Sequence, residues 1–140
     1  MAEQQIDPQE AAEIERIATD YCRSATKTEE EAQELLGKLA ATVQGEGAKL
    51  VHLGNVLFLI LVRAKSTVEV HTLGDEKDAR DMAKNFKNLA TYLKSLGVQT
   101  AYTYAEDTKF KRLAKMVKLK VREYKSNVQG VPMNVFVVEL

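Results

Sequence analysis

Apolar residues recur at helical spacing in the first third of the chain and at every second position, or without a break, in much of the rest. Ile14, Ile17, Ala18 and Tyr21 form one helical stripe. Ahead of it "DPQE" (Asp7–Glu10) supplies an N-cap aspartate, a proline at N1 and a glutamate at N3. After "SATK", "TEEE" pairs Thr28 with Glu31 as a second capping box. The stripe that follows is Ala32, Leu35, Leu36, Leu39, Ala40 and Val43, closed by Gly45. Both stripes are narrow, so each helix packs one face on something else.

The pattern then shifts to strands. "KLVHL" (Lys49–Leu53) and "VLFLILVR" (Val56–Arg63) flank Gly54–Asn55, a two-residue hairpin signal. The run "VLFLILV" reads as a fully buried strand, far too short to span a bilayer. A turn at "AKS" leads to "TVEVHTL" (Thr67–Leu73), completing an antiparallel meander. A long helix is predicted over about Glu76–Leu96, with Asp75 as N-cap and Met82, Phe86, Leu89, Leu93 and Leu96 in its stripe; Gly97 ends it. "VQTAYTYA" (Val98–Ala105) is a strand. A short helix follows Asp107 and buries Phe110, Leu113 and Val117. "LKVREYK" and "MNVFVVEL" are two final strands, the last apolar on both parities and therefore inside the sheet.

The predicted order is α-α-β-β-β-α-β-α-β-β, an α/β (α+β) mixed sheet with helices on its faces. The third strand, long helix and fourth strand form a crossover, so those two strands run parallel. With 140 residues the chain reads as a single domain over 1–140, with a helical pair over 1–46 and the sheet over 47–140.

Composition is that of a soluble globular protein, with 45% hydrophobic and 29% charged residues. Cys22 is the single cysteine and reads as a small core residue. The start "MAEQQIDPQE" is acidic and lacks an apolar leader run, so a cytoplasm-like compartment is expected, in a host cell or in a particle assembled there. Net charge is zero, but it is unevenly spread. Met1–Glu46 carries eleven acids and four bases, while Lys84–Leu140 carries eleven bases and four acids. The basic residues Lys109, Lys111, Arg112, Lys115, Lys118, Lys120 and Arg122 are read as solvated faces of a helix and a strand. An anionic partner is the sharper alternative, and pairing between the two halves of the chain is a third.

This order of elements resembles the GNAT superfamily of N-acetyltransferases over about Thr28–Leu140. Within it the likeness is to small acetyltransferase-like proteins of bacteriophages. "EDTKFKRLAKMVKLKV" (Glu106–Val121) is similar to a family stretch N-x-x-x-x-R-x-L-K-x-x-G: Asp107 stands for the Asn, and Arg112 and Lys115 fall on basic positions. Under that resemblance Ala114 takes the place of a tyrosine that often serves as general acid, and Lys118 the place of a glycine. The family's first strand is missing, since only "MAEQQI" precedes the first helix.

The resemblance implies an acetyl-CoA site where the third strand enters the long helix, with Leu73, Gly74, Lys77 and Ala79 as its cofactor-binding residues. The family motif R/Q-x-x-G-x-G/A is reduced there to "GDEKDA" (Gly74–Ala79), with Glu76 and Asp78 where phosphates would sit. At about 4 Å each like-charge contact opposes binding by about 1 kcal/mol in water, against about 0.3–1 kcal/mol from the helix dipole. Coenzyme binding is therefore disfavoured, and the turn reads as an ordinary helix cap.

If acetyl transfer occurs, Glu69 is the general base, acting through water, and His71 the runner-up, because the two share a strand face. Tyr102, Tyr104 or Tyr124 would supply a phenol acid, with Tyr104 the catalytic choice. The bland alternative makes Glu69 and His71 polar residues hydrogen-bonded at the edge of a cleft. No Cys/His/Asp cluster has metal-ligand spacing. Loss of the first strand leaves "KLVHL" as an open edge with Lys49 its one charge; either a partner or the N-terminal helices would cover it.

Two functional expectations follow. The first is a GNAT-like fold without cofactor, retained as a structural or docking module of a bacteriophage particle. Its partners would be virion proteins or further copies of itself, with weak nucleic-acid contact left open. The alternative is an active enzyme transferring acetyl from acetyl-CoA to an amine.

Overall fold

The computed structural model describes residues 7–105 and 109–140. Its elements run α1 (Pro8–Ala25), α2 (Glu29–Gln44), β1 (Ala48–Leu53), β2 (Val56–Ala64), β3 (Thr67–Leu73), α3 (Ala79–Ser95), β4 (Thr100–Ala105), α4 (Lys109–Met116), β5 (Lys120–Val128) and β6 (Val131–Glu139). The strands make one sheet in the order β1-β2-β3-β4-β6-β5. Pairings are antiparallel except β3–β4, which is parallel because α3 carries the chain back across the sheet. The last strand, β6, lies between β4 and β5, which accounts for its apolar composition. The mixed α/β fold with the expected element order is present.

β2 explains why helices cover both faces. Val56, Phe58 and Ile60 join Val68 and Val70 of β3 and Met82, Phe86, Leu89 and Leu93 of α3 in one core. Leu57 and Leu59 point the other way, into a second core with Leu73 and with Ile17 and Ala18 of α1. Each such side chain contributes about 1.5–3 kcal/mol when fully buried, so both parities of the strand must be apolar. Phe110 of α4 closes the first core, its ring 5.3 Å from Phe86 and 5.1 Å from Phe136. Cys22 is buried, and burial raises its thiol pKa.

The expected caps of the first two helices are in place. Asp7 accepts from the Gln9 N–H at 2.9 Å, and Thr28 Oγ1 accepts from the Glu31 N–H at 3.1 Å. Three expectations need correction. α3 begins at Ala79 with Asp78 as its N-cap, because the Asp78 carboxylate takes the Arg80 N–H at 2.8 Å. Leu96 lies beyond the buried stripe and is 56% exposed, since the helix has already ended at Ser95. β4 starts at Thr100 rather than Val98; the Val98 N–H is taken by the Leu93 carbonyl at 3.1 Å. Asp107 lies outside the described residues.

α3 and α4 end in the same hydrogen-bonded motif. Val98 and Gly97 N–H groups return to Leu93 and Lys94 carbonyls, and Leu119 and Lys118 N–H groups return to Ala114 and Lys115. The left-handed residue is Gly97 in one (φ 85) and Lys118 in the other (φ 58). A side chain costs about 1–2 kcal/mol there, partly recovered as lower unfolded-state entropy. Lys118→Gly is therefore expected to stabilise the fold by about 0.5–1 kcal/mol, raising Tm by about 2–4 °C. Thermal unfolding checks this; an unchanged or lower Tm would mean the Lys118 side chain makes a compensating interaction.

Candidate functional site

β3 and β4 are paired only over Thr67–Thr100, Val68–Ala101 and Glu69–Tyr102. Beyond that point β3 follows β2 as far as Leu73, and β4 follows β6 as far as Ala105. The two halves of the sheet part, and a cleft of about 300 Å³ opens between the strand ends. His71 and Thr72 line it from β3, Thr103 and Tyr104 from β4, and Tyr21 from α1.

Glu69 sits at the fork and is 8% exposed. Its Oε1 accepts from Arg63 Nε at 3.2 Å and from the Tyr102 hydroxyl at 3.1 Å, and its Oε2 accepts from His71 Nε2. Burial pushes this carboxyl up, but the hydrogen bonds from His71, Arg63 and Tyr102 more than offset it and hold it below the ordinary glutamate range. Burial first, and then the bond to Glu69, raise the Tyr102 phenol, which keeps its proton. Both Glu69 oxygens are thus engaged. A carboxylate accepts only, so His71 Nε2 carries the proton it donates and Nδ1 is the nitrogen left to take one. The group of this cluster that lines the cleft is His71, with Glu69 behind it. Tyr104 also lines the cleft, its ring edge-on to Tyr102 at 5.9 Å, while Tyr124 lies on β5 at the far edge of the sheet. Arg63 and the hydroxyl of Tyr102 had not been placed in this cluster from sequence. Arg63 stands out there as the first charge after the apolar run, opposite a strand carrying a lone buried acid.

The turn from β3 into α3 is organised by its own acids. Gly74 (φ 95) makes the bend, where a Cβ would lie 3.1 Å from the Asn55 carbonyl and 3.2 Å from Ile17. Glu76 leaves the helix start altogether. It accepts from the Asn55 N–H at 3.2 Å and side chain at 2.8 Å, and from Asn85 at 3.2 Å. Asn85 is 6% exposed on the core-facing side of α3, a polar residue whose position inside an apolar stripe is its signal in the sequence. The Asp78 carboxylate caps α3 and pairs with Arg80 at 3.1 Å; the Arg80 side chain and then its N–H hold the carboxyl below its ordinary range. Of the residues expected to hold coenzyme, Leu73 has its side chain in the core beside α1, Gly74 and Lys77 line a wider cleft against α1, and Ala79 is the first residue of α3. That cleft is acidic: Asp20, Asp75, Glu76 and Asp81 line it against Arg16 and Lys77.

The basic residues disperse. Lys111 pairs with Glu123 at 3.1 Å and Arg122 with Glu139 at 2.6 Å. Arg112 and Lys115 are exposed on α4, Lys109 opens that helix, and Lys118 and Lys120 flank the α4–β5 link. Lys49 reaches over the Tyr92 ring at 5.0 Å on β1, which is an edge strand paired only with β2. Ala114 is fully buried. Among the described residues no His, Cys, Asp and Glu converge as a metal site, and no helix is long and apolar enough to cross a membrane.

This arrangement of strands and helices is similar to those of solved acetyltransferases. The aminoglycoside 6′-acetyltransferase type Ii matches with a TM-score of 0.65 at 12% identity, over 99% of this chain and 97% of that one. The fold is that of the GNAT acetyltransferases. A probable GNAT acetyltransferase from Chromobacterium violaceum gives 0.61 at 14% identity, over 82% and 69% of the two chains. A Bacillus subtilis acetyltransferase in complex with CoA gives 0.51 at 14%, over 82% and 95%. No protein-family model and no curated protein sequence matches the chain. These structural neighbours carry no link to bacteriophage proteins.

The resemblance would put a coenzyme pyrophosphate near the α3 start, where part of the helix's backbone donors are taken by Asp78. The Arg80 N–H is spent on the Asp78 carboxylate, and the Asp81 and Met82 N–H groups return to the Asp78 carbonyl at 3.1 and 3.2 Å. The helix terminus already holds an anion of its own.

Because the folded Glu69 carboxyl lies below its unfolded value, its cluster stabilises the protein fully above the unfolded pKa, and that contribution is lost as pH falls through the folded one. Glu69→Gln is expected to destabilise the protein at neutral pH by about 1–3 kcal/mol and to flatten the acid limb of its stability curve. Denaturant unfolding from neutral pH to about pH 3 measures both. Parallel curves for the two proteins would show that Glu69 contributes nothing pH-dependent.

Proposed function

We propose that this is a GNAT-fold protein whose acetyl-CoA site is closed and which acts through contacts with other proteins of an assembly. The observation that supports this reading is the α3 N-terminus, where the Asp78 carboxylate takes the Arg80 N–H at 2.8 Å and so supplies an anion of the chain's own. Glu76, Asp75 and Asp81 add negative charge around it. A bacteriophage particle is the assembly suggested by the likeness of Glu106–Val121, with Arg112 and Lys115 on its basic positions and Lys118 in the left-handed conformation its glycine would adopt.

A second reading, transfer of an acetyl group to an amine, is supported by one feature: the forked cleft contains His71, oriented by Glu69 and with Nδ1 available to take a proton. In that reading His71 replaces Glu69 as the residue facing the amine.

Calorimetric titration with acetyl-CoA separates the two. The natural protein is expected to give no heat at millimolar ligand, whereas Asp78→Ser, which keeps a capping oxygen and removes the charge, gains binding at least about tenfold. Micromolar binding by the natural protein at about 0.15 M salt, with acetyl transfer lost in His71→Gln, would put the enzyme first.

A further inference from the structure

The fold sorts charge by layer. α1 and α2, from the acidic part of the chain, lie on one face of the sheet against Leu57, Leu59 and Leu73. α3 lies on the other face, with Leu113 of α4 in the same core. The ion pairs of the acidic layer are Arg16–Asp20 at 3.6 Å, Arg23–Glu29 at 3.2 Å and Lys38–Glu34 at 3.7 Å within it, with Glu10 and Glu13 reaching His52 of β1 at 3.4 and 3.8 Å. Those of the basic part, Lys111–Glu123 and Arg122–Glu139, close within that part. Among the described residues no ion pair joins 7–46 to 84–140. Within the described residues, pairing of the two halves inside one molecule is not seen.

The basic side has a shaped feature. Lys87 and Lys94 of α3 and Lys118 and Lys120 around the α4–β5 link surround a groove of about 430 Å³. Glu139, the acidic side chain in its lining, is engaged by Arg122 at 2.6 Å. No acidic side chain pairs with the four lysines among the described residues, and Lys118 is held there in a left-handed conformation that suits glycine better.

We propose that this groove binds the acidic α1–α2 layer of a second copy of the chain, so that copies associate head to tail. The inference deepens the contact reading above and rests on it. Charge complementarity selects the occupant: the first turn of α2 presents Glu29, Glu30 and Glu31, and each copy carries an excess of seven acids in one part and seven bases in the other. A nucleic acid would satisfy the basic groove but be repelled by the acidic layer of a molecule with no net charge. A second copy satisfies both. Because the two surfaces differ, the contact is heterologous and generates rings or open chains.

Sedimentation velocity at about 0.02 M and about 0.5 M salt tests this, since that range takes screening from weak to strong. The full chain is expected to be oligomeric at low salt and monomeric at high salt. Lys87→Glu/Lys94→Glu and Glu30→Lys/Glu34→Lys change exposed residues and should each be monomeric alone. Mixed, they should form a 1:1 dimer through the one pair of unaltered faces. Lys118→Gly should associate more weakly while remaining folded, as its thermal transition reports. A natural protein that stays monomeric at low salt, an oligomer indifferent to both reversals, or capture of duplex DNA without self-association would each overturn the proposal. A monomer that also fails to bind acetyl-CoA removes this inference and leaves the contact reading standing; acetyl-CoA binding removes the contact reading itself.

Discussion

The site depends on where β3 and β4 stop pairing. Three residues of parallel ladder hold the two halves of the sheet together, and then each strand follows a different antiparallel neighbour. Buried backbone groups need partners, so a fork inside a sheet is tolerable only where something else is available to them. Glu69 lies at the last paired position, and its carboxylate draws together side chains from β2, β3 and β4: Arg63, His71 and Tyr102. A buried carboxylate is expensive unless fully hydrogen-bonded, and this one has three donors. The cluster can therefore be a clasp at the fork and, through the outward side of His71, the most reactive part of the cleft. Those two roles use the same residue through different ring nitrogens, which is why geometry alone does not make the fold an enzyme.

A helix N-terminus attracts one anion well. At α3 the chain supplies that anion itself, and the neighbouring acid is tied down by a different set of bonds. Glu76 joins the β1–β2 turn to the middle of α3 through Asn55 and Asn85, and a Cβ at Gly54 would lie 2.7 Å from Glu76 Oε2. The turn is thus held from two sides. Another anion approaching this terminus would compete with Asp78, and the cleft beside it is lined by Asp75 and Asp81. Each displaced bond and each like-charge approach opposes binding, and the dipole can be used only once.

Much of the fold was legible because its signals are local. The Asp7 and Thr28 caps, the Gly54–Asn55 hairpin and the burial of Val56–Ile60 in β2 each follow from a few adjacent residues, whereas Val62, at the end of the run expected to be fully buried, is 58% exposed. The start of α3 was misplaced by three residues because Asp75 and Asp78 are equally good caps in sequence; Glu76's bonds to Asn55 and Asn85, remote in the chain, decide between them. At the site, Glu69 and His71 share a face in any strand, so their proximity could be read directly. What could not be read was the saturation of Glu69. Arg63 and Tyr102 reach it only through strand pairing, and that reverses which of the two residues lines the cleft.

The two-faced burial of β2 also fixes the electrostatics. A strand apolar on both parities requires a helical layer on each side, and the crossover between β3 and β4 leaves the N-terminal pair one face and α3 the other. The acidic helices and the lysines of α3 therefore lie on opposite faces, while Lys120 and Arg122, alternating with Val121 on β5, face away from α3. Among the described residues the ion pairs of 84–140 close within that part, and those of 7–46 close within it or reach His52. Such a molecule gains little stability from its charges and presents two complementary surfaces to its surroundings. In this molecule the Asp78 carboxylate caps α3 while the acidic helices and the lysines of α3 stay apart, so local capping and long-range charge placement are set by different parts of the chain.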